Sequence, residues 1–156
     1  MSINIVLVEP EIPQNTGNII RTCVCTDSVL HLIKPLGFSL DEKSLKRAGL
    51  DYFDLANIKI YESFDEFLVN KNLKDMYFFT TKASKKYTDA EFGDSVFLIF
   101  GKETKGLEKR ILKLNPENNL RMPMLINDRV RSLNLSNTVA IALYEVIRQQ
   151  NLDFLK

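Results

Sequence analysis

Short apolar runs alternate with amphipathic segments along most of the chain. The apolar runs have the length of buried strands and cover residues 3–8, 29–33, 58–61, 76–80, 96–100 and, more briefly, 120–122. Helices are predicted from Asn15 or Thr16 to about residue 27, over 41–48, from Ser63 with Glu66 at the capping-box position, over 108–114, and from about 136 to 150. Strands that alternate with helices indicate one α/β domain, residues 1–156, with a mostly parallel sheet flanked by helices.

The last predicted helix is apolar around much of its circumference. A core stripe recurs at helical spacing, and further apolar residues extend beside it: the stripe is Val139, Leu143, Val146 and Ile147, and the extension is Ala140, Ile141 and Tyr144. A helix with this pattern is buried on two sides. We expect the second side to contact another copy of the chain, in a homodimer through Ala140 and Tyr144. Complete burial within one chain is the alternative.

Charge gives the chain no general attraction to nucleic acid, because the formal net charge is +1. Basic residues nevertheless cluster locally, at Lys82, Lys85 and Lys86, at Lys102, Lys105, Lys109 and Arg110, and at Arg129 with Arg131. Most such residues are ordinary solvated surface. Only clusters next to a functional loop favour contacts with the phosphates of a nucleic acid.

Hydropathy, cysteine content and histidine content bear on where the protein is located and on which kinds of site it can form. No run approaches the ~20 apolar residues of a membrane span, and the N-terminus lacks a signal-peptide pattern, so we expect a cytoplasmic protein without membrane contact. Cys23 and Cys25 point apart on a predicted helix, which favours two free core thiols. With His31 as the single histidine, no metal site is expected. His31 lies in an apolar run and is predicted to be a packed strand residue.

Three polar segments follow predicted strands. The first contains Asn15 and Arg21, the second begins at Gly101, and the third extends from Met122 to residue 137. Ligands of parallel α/β sheets bind beyond the carboxyl ends of the strands. The three segments therefore predict one shared site, and an enzyme is the leading hypothesis.

Each segment alone also has a simpler explanation. Residues 101–106 have the glycine spacing of a phosphate-binding P-loop, but Leu107 and Glu108 replace its Lys and hydroxyl residue, which argues against an NTPase. Gly101 would let a ligand approach the backbone, or would simply form a turn. The first segment favours a helix start with Asn15 at the cap and Arg21 one turn on, suited to a phosphate or an activated hydroxyl, or else an ordinary cap and a surface arginine.

The third segment alternates polar and apolar side chains. Ser132, Asn134 and Ser136 would face one way in an extended stretch, and Leu133 and Leu135 the other. This pattern favours a polar face that contacts a ligand. The alternative is a capping loop with Ser136 as the N-cap of the last helix.

Together the segments resemble the motifs of the SPOUT, or α/β-knot, RNA methyltransferases over nearly the whole chain. Residues 9–21 (EPEIPQNTGNIIR) are similar to the minimal members, which methylate the ribose 2′-hydroxyl of the wobble nucleotide, cytidine or uridine 34, of certain tRNAs. The same resemblance is carried by residues 47–52 (RAGLDY), 79–82 (FTTK), 100–107 (FGKETKGL) and 131–137 (RSLNLSN).

The resemblance implies a trefoil knot in the C-terminal part, a homodimer and S-adenosylmethionine as methyl donor. The positions that match the cofactor site are Phe79, Gly101, Met122, Ser132 and Leu133. Arg21 matches the arginine that activates the ribose hydroxyl, and Asn15, Glu103, Ser132 and Asn134 match supporting catalytic positions. A cation beside the hydroxyl would stabilise the developing alkoxide, without a metal ion.

RNA binding would have to come from the methyltransferase domain itself, since no further RNA-binding domain is predicted. Lys82, Lys85, Lys86 and Arg129 are the candidate contacts with tRNA. The chain departs from its relatives in a longer loop over 125–130, beside the candidate cofactor residues. The remaining alternatives are a 2′-O-methyltransferase of ribosomal RNA or of another tRNA position, a dimeric RNA-binding protein without catalysis, and a nucleotide-binding α/β protein of unrelated activity.

Overall fold

Six parallel strands form the centre of the molecule. The computed structural model describes residues 2–40, 53–125, 129, 132–151 and 155. Along the chain the elements are β1 (Ser2–Val8), α1 (Pro13–Cys25), β2 (Val29–Ile33), β3 (Ile58–Tyr61), α2 (Phe64–Leu68), β4 (Met76–Phe79), β5 (Ser95–Phe100), α3 (Lys109–Leu112), β6 (Asn119–Leu120) and α4 (Leu135–Gln150). The strand order across the sheet is β3-β2-β1-β5-β4-β6. Every strand pair is parallel, which confirms the predicted fold class.

Side-chain alternation along the strands produces one apolar core on each face of the sheet. Ile5 and Leu7 of β1 pack with Ile19 of α1 and Leu143 of α4. Val6 and Val8 contribute to the opposite core, which contains Phe64, Phe67 and Ile111 of α2 and α3. Because both faces of the sheet are covered, most of the strands are nearly continuous apolar runs, and this is why they were predictable, whereas the edge strand β3 is only partly buried.

The start of α1 differs from the prediction. The helix begins at Pro13, with Ile12 at the N-cap, rather than at Asn15 or Thr16. A proline suits the first helical position because its missing N–H would have no partner there. Asn15 is consequently inside the first turn of the helix and buried, with its amide available for contacts beyond α1.

The other predicted helices agree in position, with changes at their ends. Ser63 caps α2 by accepting a hydrogen bond from the Glu66 N–H at 3.1 Å, as predicted, but the Glu66 carboxylate accepts from the Glu62 N–H at 2.6 Å, so the reciprocal bond of a capping box is replaced. The last helix is capped by Asn134 rather than by Ser136, which lies within its first turn. The helix predicted over 41–48 lies outside the described residues.

The cysteines and the histidine are placed largely as expected. Both cysteines are free, but Cys25 is exposed, so the prediction of two core thiols is wrong for this residue, the last of α1. Burial raises the pKa of the Cys23 thiol to about 12, so this thiol stays protonated. His31 is buried on β2, where its ring nitrogens lie 3.0 Å from the Tyr61 hydroxyl and 3.0 Å from Asn4 Oδ1. Within the described ranges, no helix has both the length and the apolar character needed to cross a membrane.

Candidate functional site

A cavity of about 660 Å³ lies beyond the ends of β4, β5 and β6. Its wall combines the first turn of α1, the chain after β4, the connection from β5 to α3, the chain after β6 and the start of α4. The three strands that feed it are adjacent in the sheet, so their carboxyl ends converge there. Its volume is in the range of sites for small molecules.

Asn15 connects the three polar segments at this cavity. Its Nδ2 donates to Glu103 Oε1 at 3.2 Å, and its Oδ1 accepts from Asn134 Nδ2 at 3.0 Å. Glu103 follows β5 and Asn134 precedes α4, so one buried amide joins loops that are far apart in sequence. The prediction that the three segments meet at one place is confirmed by these contacts.

The Glu103 carboxylate, which comes from another loop, binds the backbone at the start of α1. Besides Asn15, it accepts hydrogen bonds from the Glu11 N–H at 2.9 Å and from the Ile12 N–H at 3.1 Å. The N-cap residue, Ile12, has no side-chain acceptor for the first turn, and Glu103 instead satisfies the backbone N–H of Ile12 itself and of the residue before it. A carboxylate at a helix N-terminus is also favoured by the helix dipole.

Asn134 performs two tasks with one amide group. Its Oδ1 accepts from the N–H groups of Ser136 and Asn137 and from the Ser136 hydroxyl, at 2.9, 3.3 and 2.7 Å. Its Nδ2 is thereby directed toward Asn15. The cap of α4 and the connection to α1 therefore depend on the same side chain.

Two further contacts hold the loop after β1 against the loop after β5. Glu11 accepts from the Thr104 N–H at 3.1 Å and from the Thr104 hydroxyl at 2.9 and 3.0 Å. Lys102 donates to Glu9 at 2.5 Å, and this hydrogen bond raises the pKa of the lysine. No role was predicted from sequence for Glu9, Glu11 or Thr104. Two acidic residues flanking Pro10 were the available signal.

A comparison with known protein families identifies the family of this chain. A model of the SpoU rRNA methylase family matches residues 2–144. The chain belongs to this family. The resemblance of the three motifs to SPOUT methyltransferases is thus confirmed.

Individual relatives of this family match over almost their whole length. A protein of Methylovorus glucosotrophus named tRNA (cytidine(34)-2′-O)-methyltransferase is 47% identical over 149 residues, which cover 95% of this chain and 96% of that protein. A solved structure described as structural insights into the 2-OH methylation of C/U34 on tRNA is 38% identical, has a TM-score of 0.87, and is matched over 96% of this chain and 97% of its own.

A more distant SpoU structure shares the fold. The AviRb methyltransferase of Streptomyces viridochromogenes, solved in complex with its cofactor AdoMet, is 22% identical and has a TM-score of 0.83. The match covers 96% of this chain and 61% of that one.

The SpoU fold brings most of the predicted site residues to the cavity. The residues that line it include all five predicted cofactor positions, Phe79, Gly101, Met122, Ser132 and Leu133, and the predicted supporting positions Asn15, Glu103 and Asn134. Arg21 is exposed on α1 and does not line the cavity. Of the predicted RNA contacts, Lys82 lines the cavity, whereas Lys85, Lys86 and Arg129 lie outside its wall.

Gly101 has an intramolecular reason for lacking a side chain. A Cβ at this position would collide with the backbone of Gly106 and Leu107. Gly106 has a φ of 67°, and its N–H donates to the carbonyl of Lys102 at 2.8 Å. The two glycines therefore allow the backbone of residues 101–107 to fold into a tight turn. This packing agrees with the simpler explanation of Gly101, a turn that requires glycine, and the approach of a ligand to its backbone stays a prediction.

Proposed function

We propose that this chain is an S-adenosylmethionine-dependent tRNA methyltransferase that modifies the ribose 2′-hydroxyl of nucleotide 34, the wobble position. The observation that carries the proposal is the hydrogen-bonded chain Glu103–Asn15–Asn134, which assembles the three family motifs around one cavity. Relatives that match the chain end to end and are named for methylation at position 34 support the choice of substrate.

The lining of the cavity suits S-adenosylmethionine, whose sulfonium group supplies the methyl. Phe79, Met122 and Leu133 offer apolar surface for the adenine ring, and the hydroxyl of Ser132 and the backbone of the Gly101 turn offer polar partners. The cofactor bound to the AviRb methyltransferase, which shares the fold, supports this assignment. This chain's part is to bind the cofactor and to exclude water from its reacting end.

Arg21 is the proposed catalytic residue. Its guanidinium would stabilise the alkoxide that forms as the 2′-hydroxyl attacks the methyl group. Asn15, Glu103, Ser132 and Asn134 would orient the loops and the substrate. Because Arg21 lies on the exposed face of α1, bound RNA or a second copy of the chain must complete the site beside it.

The exposed apolar face of α4 supports a homodimer. Ile141 is 42% exposed and Tyr144 is 56% exposed, while Ala140 beside them is half-buried. Aromatic and aliphatic side chains on one face are typical of the core of a protein interface. Sedimentation of the 18.0 kDa chain tests this part: a particle of twice that mass is expected, and a monomer at micromolar concentration would contradict it.

Other parts of the proposal rest on the family resemblance. We place the enzyme in the cytoplasm, as one domain without a metal ion and with a trefoil knot near its C-terminal part. Lys82, Lys85, Lys86 and Arg129 are the proposed contacts with tRNA, and all but the half-buried Lys85 are exposed.

Transfer of labelled methyl from S-adenosylmethionine to bulk tRNA without wobble ribose methylation tests the function. Label mapped to the 2′-oxygen of nucleotide 34 is expected. Label found only on another tRNA nucleotide, or only on ribosomal RNA supplied in a parallel reaction, would keep the methyl-transfer chemistry and overturn the proposed substrate. Cofactor binding without any transfer to RNA would overturn the proposed catalytic activity and favour a non-catalytic RNA-binding protein.

A further inference from the structure

Lysines are concentrated on the rim of the cavity. Four of the described lining residues are lysines, Lys82, Lys102, Lys105 and Lys109. Lys102 is paired with Glu9. The other three are exposed, and none forms an ion pair within the described part of the chain.

The nearby acidic groups have hydrogen-bond partners other than the three exposed lysines. Glu103 is the single carboxylate among the described lining residues, and its oxygens accept three N–H hydrogen bonds. Glu108, next to Lys109, instead accepts a hydrogen bond from Arg110 at 2.9 Å, and Arg110 also contacts Asp65 at 3.0 Å. None of these contacts places a carboxylate on Lys82, Lys105 or Lys109, so within the described part of the chain their ammonium groups keep hydrogen-bond donors for an anion.

The charge and the position of this rim favour an RNA phosphate over the carboxylate of the cofactor. S-adenosylmethionine carries a sulfonium and an ammonium group beside its carboxylate, so a rim of ammonium groups repels its net charge. RNA is a polyanion. In a ribonucleotide the carbon that bears the 2′-hydroxyl is bonded to the carbon that bears the 3′-phosphate ester. A ribose that reaches the methyl donor therefore brings a phosphate to the mouth of the cavity.

We propose that Lys105 and Lys109, together with Lys82, form a phosphate subsite that holds the backbone of the acceptor RNA next to the methylated nucleotide. Two chain segments build it: Lys82 comes from the connection after β4, and the other two from the connection between β5 and α3 and the start of α3. The subsite adds two contacts to the RNA residues identified from sequence. The identity of the RNA bound at this subsite rests on the proposed function, but binding measurements alone can test whether the subsite contacts phosphate.

The test compares the double variant Lys105→Gln/Lys109→Gln with Lys113→Gln. Lys113 follows the same short helix and is exposed, but it lies outside the cavity wall and forms no ion pair in the described part of the chain, so it is a control for the loss of one surface charge. Binding of a fluorescent tRNA is measured by polarisation over a range of salt concentrations, and binding of S-adenosylmethionine by calorimetry.

For the double variant we expect tRNA affinity to fall roughly tenfold and the slope of log K against log salt to lose between about one and two units. The Kd for S-adenosylmethionine should stay within about twofold, as expected when the removed charges contact phosphate and not cofactor. The Lys105→Arg/Lys109→Arg variant should restore the slope. The control should lose less than about half of a unit, since a lysine that contacts no phosphate releases few counterions.

Two results would overturn the subsite. A weaker cofactor affinity with an unchanged salt slope would assign these lysines to the carboxylate of S-adenosylmethionine. Unchanged tRNA and cofactor binding would make them solvated surface. Because polarisation needs no turnover, an unmodified chain that fails to methylate tRNA would overturn the proposed function, while the salt slopes would still decide the subsite.

Discussion

Asn134 donates its side-chain N–H to Asn15 at 3.0 Å across 119 residues of sequence. The direction of this hydrogen bond is fixed by Glu103, because an ionised carboxylate is acceptor-only and must receive the Asn15 Nδ2 group. Asn15 is thereby left with its oxygen for Asn134. The direction of the hydrogen bonds is thus set from both ends, by the Glu103 carboxylate and by the cap of α4, which holds the Asn134 oxygen.

Replacing Asn134 with Asp separates helix capping from this connection. The introduced aspartate would still cap α4, because Asp is as good an N-cap residue as Asn. It would present a second acceptor to Asn15 and oppose the hydrogen bond. We expect the melting temperature to change by no more than a few degrees and kcat/KM for methyl transfer to fall roughly 10- to 100-fold, or about 1.4–2.7 kcal/mol.

The matched control is Asn134→Asp combined with Glu103→Gln. The introduced glutamine could donate to Asn15, so the amide of Asn15 could rotate and donate to the introduced aspartate. Partial recovery of kcat/KM relative to Asn134→Asp alone is expected. Losses that simply add in the double variant would show that the polarity of the hydrogen-bonded chain does not matter.

Thr104→Val tests the contact between the loops after β1 and β5. The substitution keeps the shape of the side chain but removes the hydroxyl that donates to Glu11, leaving the Thr104 N–H bond in place. We expect the Kd for S-adenosylmethionine to rise about 3- to 10-fold, in line with one lost charge-assisted hydrogen bond. Thr104→Ser retains the hydroxyl and should bind as the unmodified chain does. Equal affinity in the Val and Ser variants would show that the hydroxyl has no part in cofactor binding.

His31 should make the fold sensitive to acid. Burial lowers its pKa to about 4, and Lys59 and Lys71 contribute to this lowering by repulsion. The unfolded chain, with an ordinary pKa near 6.5, binds the proton more readily between these values. The contribution of His31 to stability is therefore complete above about pH 6.5 and is lost as the pH falls toward the folded pKa.

Urea titrations at pH 7 and pH 5 measure this loss. The free energy of unfolding should decrease by roughly 1–2 kcal/mol between the two values, from the titration of His31. His31→Gln has no such group, so its stability should vary less over the same interval. A pH dependence that is identical in both proteins would contradict the assignment.

Arg21→Ala tests the proposed catalytic residue. We expect a rate loss of roughly 10²–10⁴-fold with nearly unchanged cofactor affinity, because Arg21 lies outside the cavity wall. Arg21→Lys keeps the charge without the planar guanidinium and should retain part of the rate. Turnover equal to that of the unmodified chain in Arg21→Ala would remove this residue from the mechanism.

The strands were predictable from sequence because most of them are buried on both faces. Runs such as Val29–Ile33 are nearly all apolar for this reason, and their predicted bounds agree with the structure. The signal for the start of α2 was equally local, since Ser63 and Glu66, which form the cap, lie within four residues. Signals of this kind need no knowledge of the rest of the chain.

The construction of the site depends on contacts that local patterns do not contain. The carboxylate that binds the backbone at the start of α1 belongs to Glu103, about ninety residues from Glu11 and Ile12. The local sequence does not reveal this distant contact of Glu103. It instead predicts the cap at Asn15 or Thr16, which have the usual capping side chains. In the same way α4 is capped by Asn134 and not by Ser136, and the same side chain makes the distant contact with Asn15.

Two tRNAs that differ by one oxygen atom test the proposed wobble chemistry. One carries ribose at nucleotide 34 and the other carries 2′-deoxyribose at that nucleotide alone, and both are incubated with the enzyme and labelled S-adenosylmethionine. We expect label in the first tRNA, on nucleotide 34, and none in the second. Equal labelling of both tRNAs would refute wobble 2′-O-methylation and place the acceptor at another atom.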